Sequence, residues 1–151
     1  AFSEVAAAAG PIVLTPAEED FWRQCAAPPE GCVDRDSVLR GEQDVWLAAC
    51  SGFDSSPFGE PGTPCPQPFW GCLECRNAVI TARKLPAIIA FQQFIEEQRA
   101  SLSASDWAMK FGRAHARIAG QVLPAFSESM IAAARREAEV HTLYLPPEAR
   151  Q

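Results

Sequence analysis

Apolar residues fall at helical spacing in five stretches of the chain, and the period disappears across residues 50–75. Thr15-Pro16-Ala17-Glu18 opens the first stretch: Thr15 can cap, Pro16 suits the first helical position and Glu18 closes a capping box. That helix is expected to run to about Gln24, with Phe21, Trp22 and Cys25 as its apolar edge, and Ala27-Pro28-Pro29-Glu30-Gly31 ends it. Val38, Leu39, Val45, Trp46 and Ala49 predict a second, one-sided helix over residues 36–49, despite Gly41, which would deliver Cys50 at its end. Thr81 can cap a third, which carries Leu85, Ile88, Ile89, Phe91, Phe94 and Ile95 and ends near Ala100. Ser103 to Asp106 starts a fourth, in which Trp107, Phe111, Ala114, Ile118 and Val122 recur at steps of four, three, four and four until Leu123-Pro124 breaks it. Ser127 opens the fifth, with Met130, Ile131, Ala134 and Ala138 facing inward. Residues 1–14 show no strong period, no segment reads as a convincing strand and no internal repeat is visible.

The fold class that follows is mainly α: a small helical domain with a Pro/Gly-rich loop clipped by a four-cysteine metal site. At 151 residues and 48% hydrophobic content the chain can bury a sizeable core as one domain. Its parts are an N-terminal arm with one short helix (1–35), a helix plus cysteine-rich loop (36–75), a three-helix segment (76–142) and a loose Pro-flanked tail (143–151). The opening Ala-Phe-Ser-Glu reads as a continuation of something longer, so a fragment of a larger protein is expected. No apolar run approaches a membrane span and no basic-then-apolar leader is present, which predicts a cytoplasmic protein without a membrane partner.

The unpatterned loop holds the chemistry. It reads Cys-x14-Cys-x6-Cys-x2-Cys across Cys50, Cys65, Cys72 and Cys75, with five prolines and four glycines between them. The two-residue gap between Cys72 and Cys75 lets both thiolates reach one tetrahedral ion, and Cys50 and Cys65 could complete a closed site. Zn2+ fits the spacing best. An iron–sulfur cluster, a disulfide framework and plain buried thiols are the alternatives; Cys65-Pro66 has the flavour of a ferredoxin run, although the spacing matches no standard one. Cys25 and Cys32, separated by six residues around a Pro-Pro-Glu-Gly turn, read as half-buried thiols rather than as a second metal pair.

Charge divides the chain. The net value is −6, yet residues 1–72 carry 11 acidic and 3 basic side chains whereas residues 73–151 carry 8 and 10, so only the second part is suited to phosphates. Lys110, Arg113 and Arg117 share one helix face, which reads first as a solvated surface and second as a phosphate contact. Arg83 and Lys84 join them as candidates, because cations near a helix N-terminus oppose the macrodipole. Catalytic sets are poor: there is no Gly-x-Ser-x-Gly, phosphate loop or His-Glu-x-x-His, and His115 and His141 read as structural or solvent-facing. His115, beside an apolar face, is expected to hold a core position with one nitrogen satisfied.

In Gly41–Cys50 (GEQDVWLAAC), Ser56–Ile88 with its Cys-x6-Cys-x2-Cys-x-Asn-Ala core, and Asp106–Ile118 (DWAMKFGRAHARI), the chain resembles the C-terminal region of bacterial tyrosine-type site-specific recombinases, the phage integrases, and their relatives on mobile elements. The resemblance spans residues 36–124, and its recurring cysteines fall on Cys50, Cys65, Cys72 and Cys75, with no counterpart for Cys25 or Cys32. Recombinase catalysis uses arginines and a histidine around the scissile phosphate and a tyrosine nucleophile. Here His115-Ala116-Arg117 lacks the His-x-x-Arg spacing and Tyr144 follows no matching motif. The resemblance thus implies a non-catalytic appendix that would assist DNA binding, or contact the parent's catalytic domain or another protomer. A protein-interaction module without DNA contact is the alternative, favoured by the acidic first part, and a redox or iron–sulfur sensor is a third.

Overall fold

The computed structural model of the chain describes residues 10–24, 38–41 and 44–143, with side chains as far as residue 139. It is mainly helical with one small sheet, and it separates into two compact units, Ala1–Ala82 and Arg83–Gln151.

The first unit is built on a three-stranded sheet in the order β1-β3-β2, where β1 is Ile12–Val13, β2 is Ala49–Cys50 and β3 is Ala78–Ile80. β1 runs parallel to β3 with Ile12 opposite Val79; β2 runs antiparallel with Cys50 opposite Ala78. Leu14 N–H donating to the Ile80 carbonyl (2.9 Å) and Ser51 N–H to the Asn77 carbonyl (2.8 Å) continue the two ladders. All three β3 residues are buried, and Val79 joins Leu14, Val38, Leu39 and Ala49 in a core against which the half-buried Trp22 packs. Strands this short carry no sequence period, which is why the pattern of residues 1–14 and 76–80 did not announce them.

Helix α1, Pro16–Gln24, begins as expected: Thr15 N–H donates to Glu18 Oε1 and Glu18 N–H to Thr15 Oγ1, each at 3.2 Å, which closes the capping box. Phe21 does not line an apolar edge; it is 63% exposed, and Cys25 lies outside the described residues. The second predicted helix is overturned. Val38 and Leu39 are helical, but Gly41 takes φ 86°, a left-handed conformation that ends the run. Val45 N–H then donates to the Ala48 carbonyl (2.8 Å) and Asp44 bridges Ala49 antiparallel, so Val45-Trp46-Leu47-Ala48 is a tight turn feeding β2. Its apolar residues suit either structure, and backbone pairing to β3 decides between them. Cys50 therefore arrives on a strand.

The second unit centres on α2, Leu85–Glu97, entered by a 3₁₀ turn at Ala82–Lys84 and prolonged by another at Gln98–Ala100. Thr81 does not cap it: the N-cap position is Lys84, with no side-chain cap bond, and Thr81 is buried. Helix α3, Ala104–Trp107, starts where Ser103 Oγ accepts the Asp106 N–H (3.1 Å). A π-helical turn at Ala108–Gly112, helix α4 at Arg113–Arg117 and a second π turn at Ile118–Val122 carry the chain to the Pro124 break. Trp107, Phe111, Ala114, Ile118 and Val122 are all buried, as their spacing predicts. Steps of four overshoot one face of a 3.6-residue helix by about 40° each. The wider π turns absorb that drift, a local geometry that apolar spacing alone does not reveal. Helix α5, Glu128–Leu143, packs along α2 and buries Ala134 and Ala138, with Met130 and Ile131 half-buried. Phe111 meets Phe91 and Phe94 edge-on at 6.1 and 6.3 Å. Among the described residues no helix is long and apolar enough to cross a membrane.

Candidate metal centre

Residues 51–75 fold as a succession of tight turns. Gly62 N–H donates to the Asp54 carbonyl (2.7 Å), Thr63 Oγ1 to the Glu60 carbonyl (2.6 Å) and Gly71 N–H to the Pro68 carbonyl (2.8 Å). Trp46, Phe69 and Trp70 brace this loop edge-to-face, with centroids 5.0 and 5.2 Å apart. The loop therefore has internal supports, which proline and glycine content alone did not disclose. A 3₁₀ turn at Phe69–Glu74 carries Cys72, and Cys75, at its C-cap, donates its N–H to the Cys72 carbonyl (3.2 Å).

All four cysteines of this loop carry free thiols; Cys75 is buried and Cys50, Cys65 and Cys72 are half-buried. Burial, followed by the neighbouring Cys50, Cys75 and Cys65, pushes the Cys72 thiol up to about 12. Burial also raises Cys50, where the Gly52 N–H works in the opposite direction and Cys65 adds to the rise. Cys75 is raised by burial against the opposing Asn77 N–H, with Cys50 and Cys65 contributing. The Asn77 N–H donates to Cys75 Sγ at 3.4 Å. Two thiols are thus each met by a backbone donor from two residues onward, an arrangement that suits a thiolate. Among the described residues, no three His, Cys, Asp or Glu side chains stand at ligating distance from a common point. The sulfurs are within electrostatic reach of one another rather than in contact with a shared centre.

Asn77 is the residue whose importance spacing did not reveal. Its Nδ2 donates to the Gly52 and Ser55 carbonyls, both at 3.1 Å, and its own carbonyl accepts from Ser51 N–H and Ser51 Oγ (3.1 Å). The Cys-x-Asn-Ala run was its one signal. Cys25, Cys32 and Tyr144 lie outside the described residues, as does the side chain of His141.

The candidate cations are dispersed in their surroundings. Arg113 and Arg83 are exposed; Lys84, Lys110 and Arg117 are half-buried. Arg117 Nη1 donates to Gln121 Oε1 (2.9 Å), Lys110 Nζ lies 5.0 Å from the Phe111 ring centroid, and Arg83 and Lys84 also have partners within the chain. His115 is half-buried rather than in the core, with the expected single nitrogen engaged: its Nε2 meets Glu96 Oε1 at 2.5 Å and its ring meets Trp107 edge-on at 5.4 Å. Glu96 also accepts from Arg99 Nε at 3.0 Å, and Arg99 stacks over Trp107 with its Cζ 3.5 Å from the centroid.

No protein-family model matches the chain, and neither a curated protein nor a solved structure matches it.

Proposed function

We propose that this chain is a non-catalytic, zinc-binding accessory domain of a tyrosine-recombinase-like protein, in which the metal fastens the cysteine loop to the sheet and the helical unit meets DNA. The carrying observation is that pairing of β2 with β3 brings the strand end bearing Cys50 next to Cys75, with Asn77 bonded to both Ser51 and Cys75 Sγ and with Cys72 in the 3₁₀ turn just before; among the described residues no three ligand side chains share a common centre. Four thiols fit a divalent, thiophilic ion in donor type and number. When bound, the ion supplies positive charge that stabilises the thiolates against their mutual repulsion and their burial. The DNA part rests on the recombinase resemblance and on the cations of residues 73–151. The acidic balance of residues 1–72, together with the engagement of Lys110 and Arg117 inside the chain, favours a second reading in which the domain contacts protein instead.

Metal analysis of the purified chain tests the first part: one zinc per chain is expected, and Cys72→Ser should abolish it because ligand loss removes binding energy that is also folding energy. Full occupancy in that variant would sink the assignment, and a brown protein with visible absorption would establish an iron–sulfur cluster in its place. DNA binding that weakens steeply with salt supports the DNA role. No binding at low salt, with retained association to the parent's catalytic domain, transfers the reading to protein contact. A covalent DNA adduct at Tyr144 would overturn the non-catalytic assignment.

A further inference from the structure

We infer that Asn77 is the positioning residue of the thiol cluster, tying the turn that wraps Cys50 to the turn that wraps Cys75; the inference deepens the metal reading above and rests on it for its function. Cys50 and Cys75 are 25 positions apart by number; the β2–β3 pairing brings their backbones together, and Asn77 is where that pairing is extended by side-chain bonds. Asn77 links them through three sets of bonds. Its N–H donates to Cys75 Sγ at 3.4 Å. Its carbonyl takes both the N–H and the hydroxyl of Ser51, the residue after Cys50. Its side-chain amide directs both hydrogens at the Gly52 and Ser55 carbonyls, each at 3.1 Å, and thereby caps the turn whose Gly52 N–H faces the Cys50 sulfur.

The residue type follows from the geometry. Two carbonyl acceptors on one side call for two donors on a single planar group at short reach. Asp has the same shape and presents only acceptors; Ala has neither. The space is equally demanding from the other side. A Cβ placed on Gly52 would displace the Ser55 hydroxyl and come within 3.2 Å of Asn77 Nδ2, so the space beside the amide is closely filled.

The test uses the full chain with Asn77→Ala, Asn77→Asp and Gly52→Ala, each checked for retained helical content. Alkylation of the metal-free proteins, with each thiol followed by mass spectrometry, reads the positioning directly. Cys50 and Cys75 should react about tenfold faster than in the wild type, because losing the amide's hydrogen bonds makes local opening of the two turns, and so exposure of both sulfurs, easier by about that factor, while Cys65 keeps its rate. An equal rise at all four thiols would mark general loosening and overturn the inference, as would Cys50 rates within about twofold of wild type. Competition for Zn2+ against a chelator is the second arm, with affinity expected to fall about ten- to a hundredfold. Unchanged zinc affinity in Asn77→Ala also overturns it. A wild-type chain that takes up no zinc refutes the metal reading alone, and the alkylation pattern still decides the role of Asn77.

Discussion

Trp107→Phe probes the most closely specified contact set of the helical unit. The indole is 6% exposed and its Nε1 donates to the Ile95 carbonyl at 2.6 Å, joining the fourth predicted helix to the end of α2. Phenylalanine removes that donor in a buried setting, which costs about 1 kcal/mol. The void left by the missing part of the indole adds about 1 kcal/mol, since a cavity is only partly closed by relaxation. Weaker stacking under Arg99, whose Cζ sits 3.5 Å from the ring centroid, adds about 0.5 kcal/mol. The expected loss is therefore about 2.5 kcal/mol. Urea unfolding followed by far-UV circular dichroism measures it. Arg99→Ala alone should cost less than about 1 kcal/mol, because that side chain is half exposed and keeps its solvation when separated from Glu96 and the ring. A Trp107→Phe loss below about 1 kcal/mol, or an Arg99→Ala loss equal to it, would refute the argument that the buried indole's hydrogen bond and volume, rather than its stacking on Arg99, carry most of the loss.

Apparent zinc affinity should climb with pH through the neutral range, by roughly one decade per pH unit for each proton displaced, because Cys50, Cys72 and Cys75 are all held above the ordinary thiol value and must deprotonate to ligate. In the metal-free chain the same shifts act in the other direction: stability is complete below pH 9, the unperturbed thiol value, and declines as pH rises toward about 12, where Cys72 would ionise. Cys72→Ala should blunt that alkaline decline in a pH-dependent unfolding series. Arg113→Glu with Arg117→Glu should weaken DNA binding to all sequences about equally and lower the salt slope by about one unit per removed phosphate contact, as read by anisotropy titrations. Gly41→Ala should destabilise the first unit by about 1 kcal/mol in the same urea assay, because φ is 86° there and a Cβ is strained in that region.

Much of the helical unit is legible in the sequence itself. Trp107, Phe111, Ala114, Ile118 and Val122 recur often enough for one buried face to be recognised, and the caps at Thr15 and Ser103 are made by residues three apart, so short-range pattern contains them. The Cys72-x2-Cys75 pair is local as well, and one 3₁₀ turn with its C-cap carries both residues. What spacing cannot contain is pairing between distant segments. Whether Val45 to Ala49 is helix or turn-and-strand is undecided locally, and the bonds of Ala49 and Cys50 to Ala78 and Val79 decide it. The same sheet places Cys50 beside a loop that ends 25 residues later, and it sets Asn77 between them. Side-chain periodicity is a property of a few consecutive turns of backbone, whereas backbone pairing depends on segments whose separation along the chain carries no pattern.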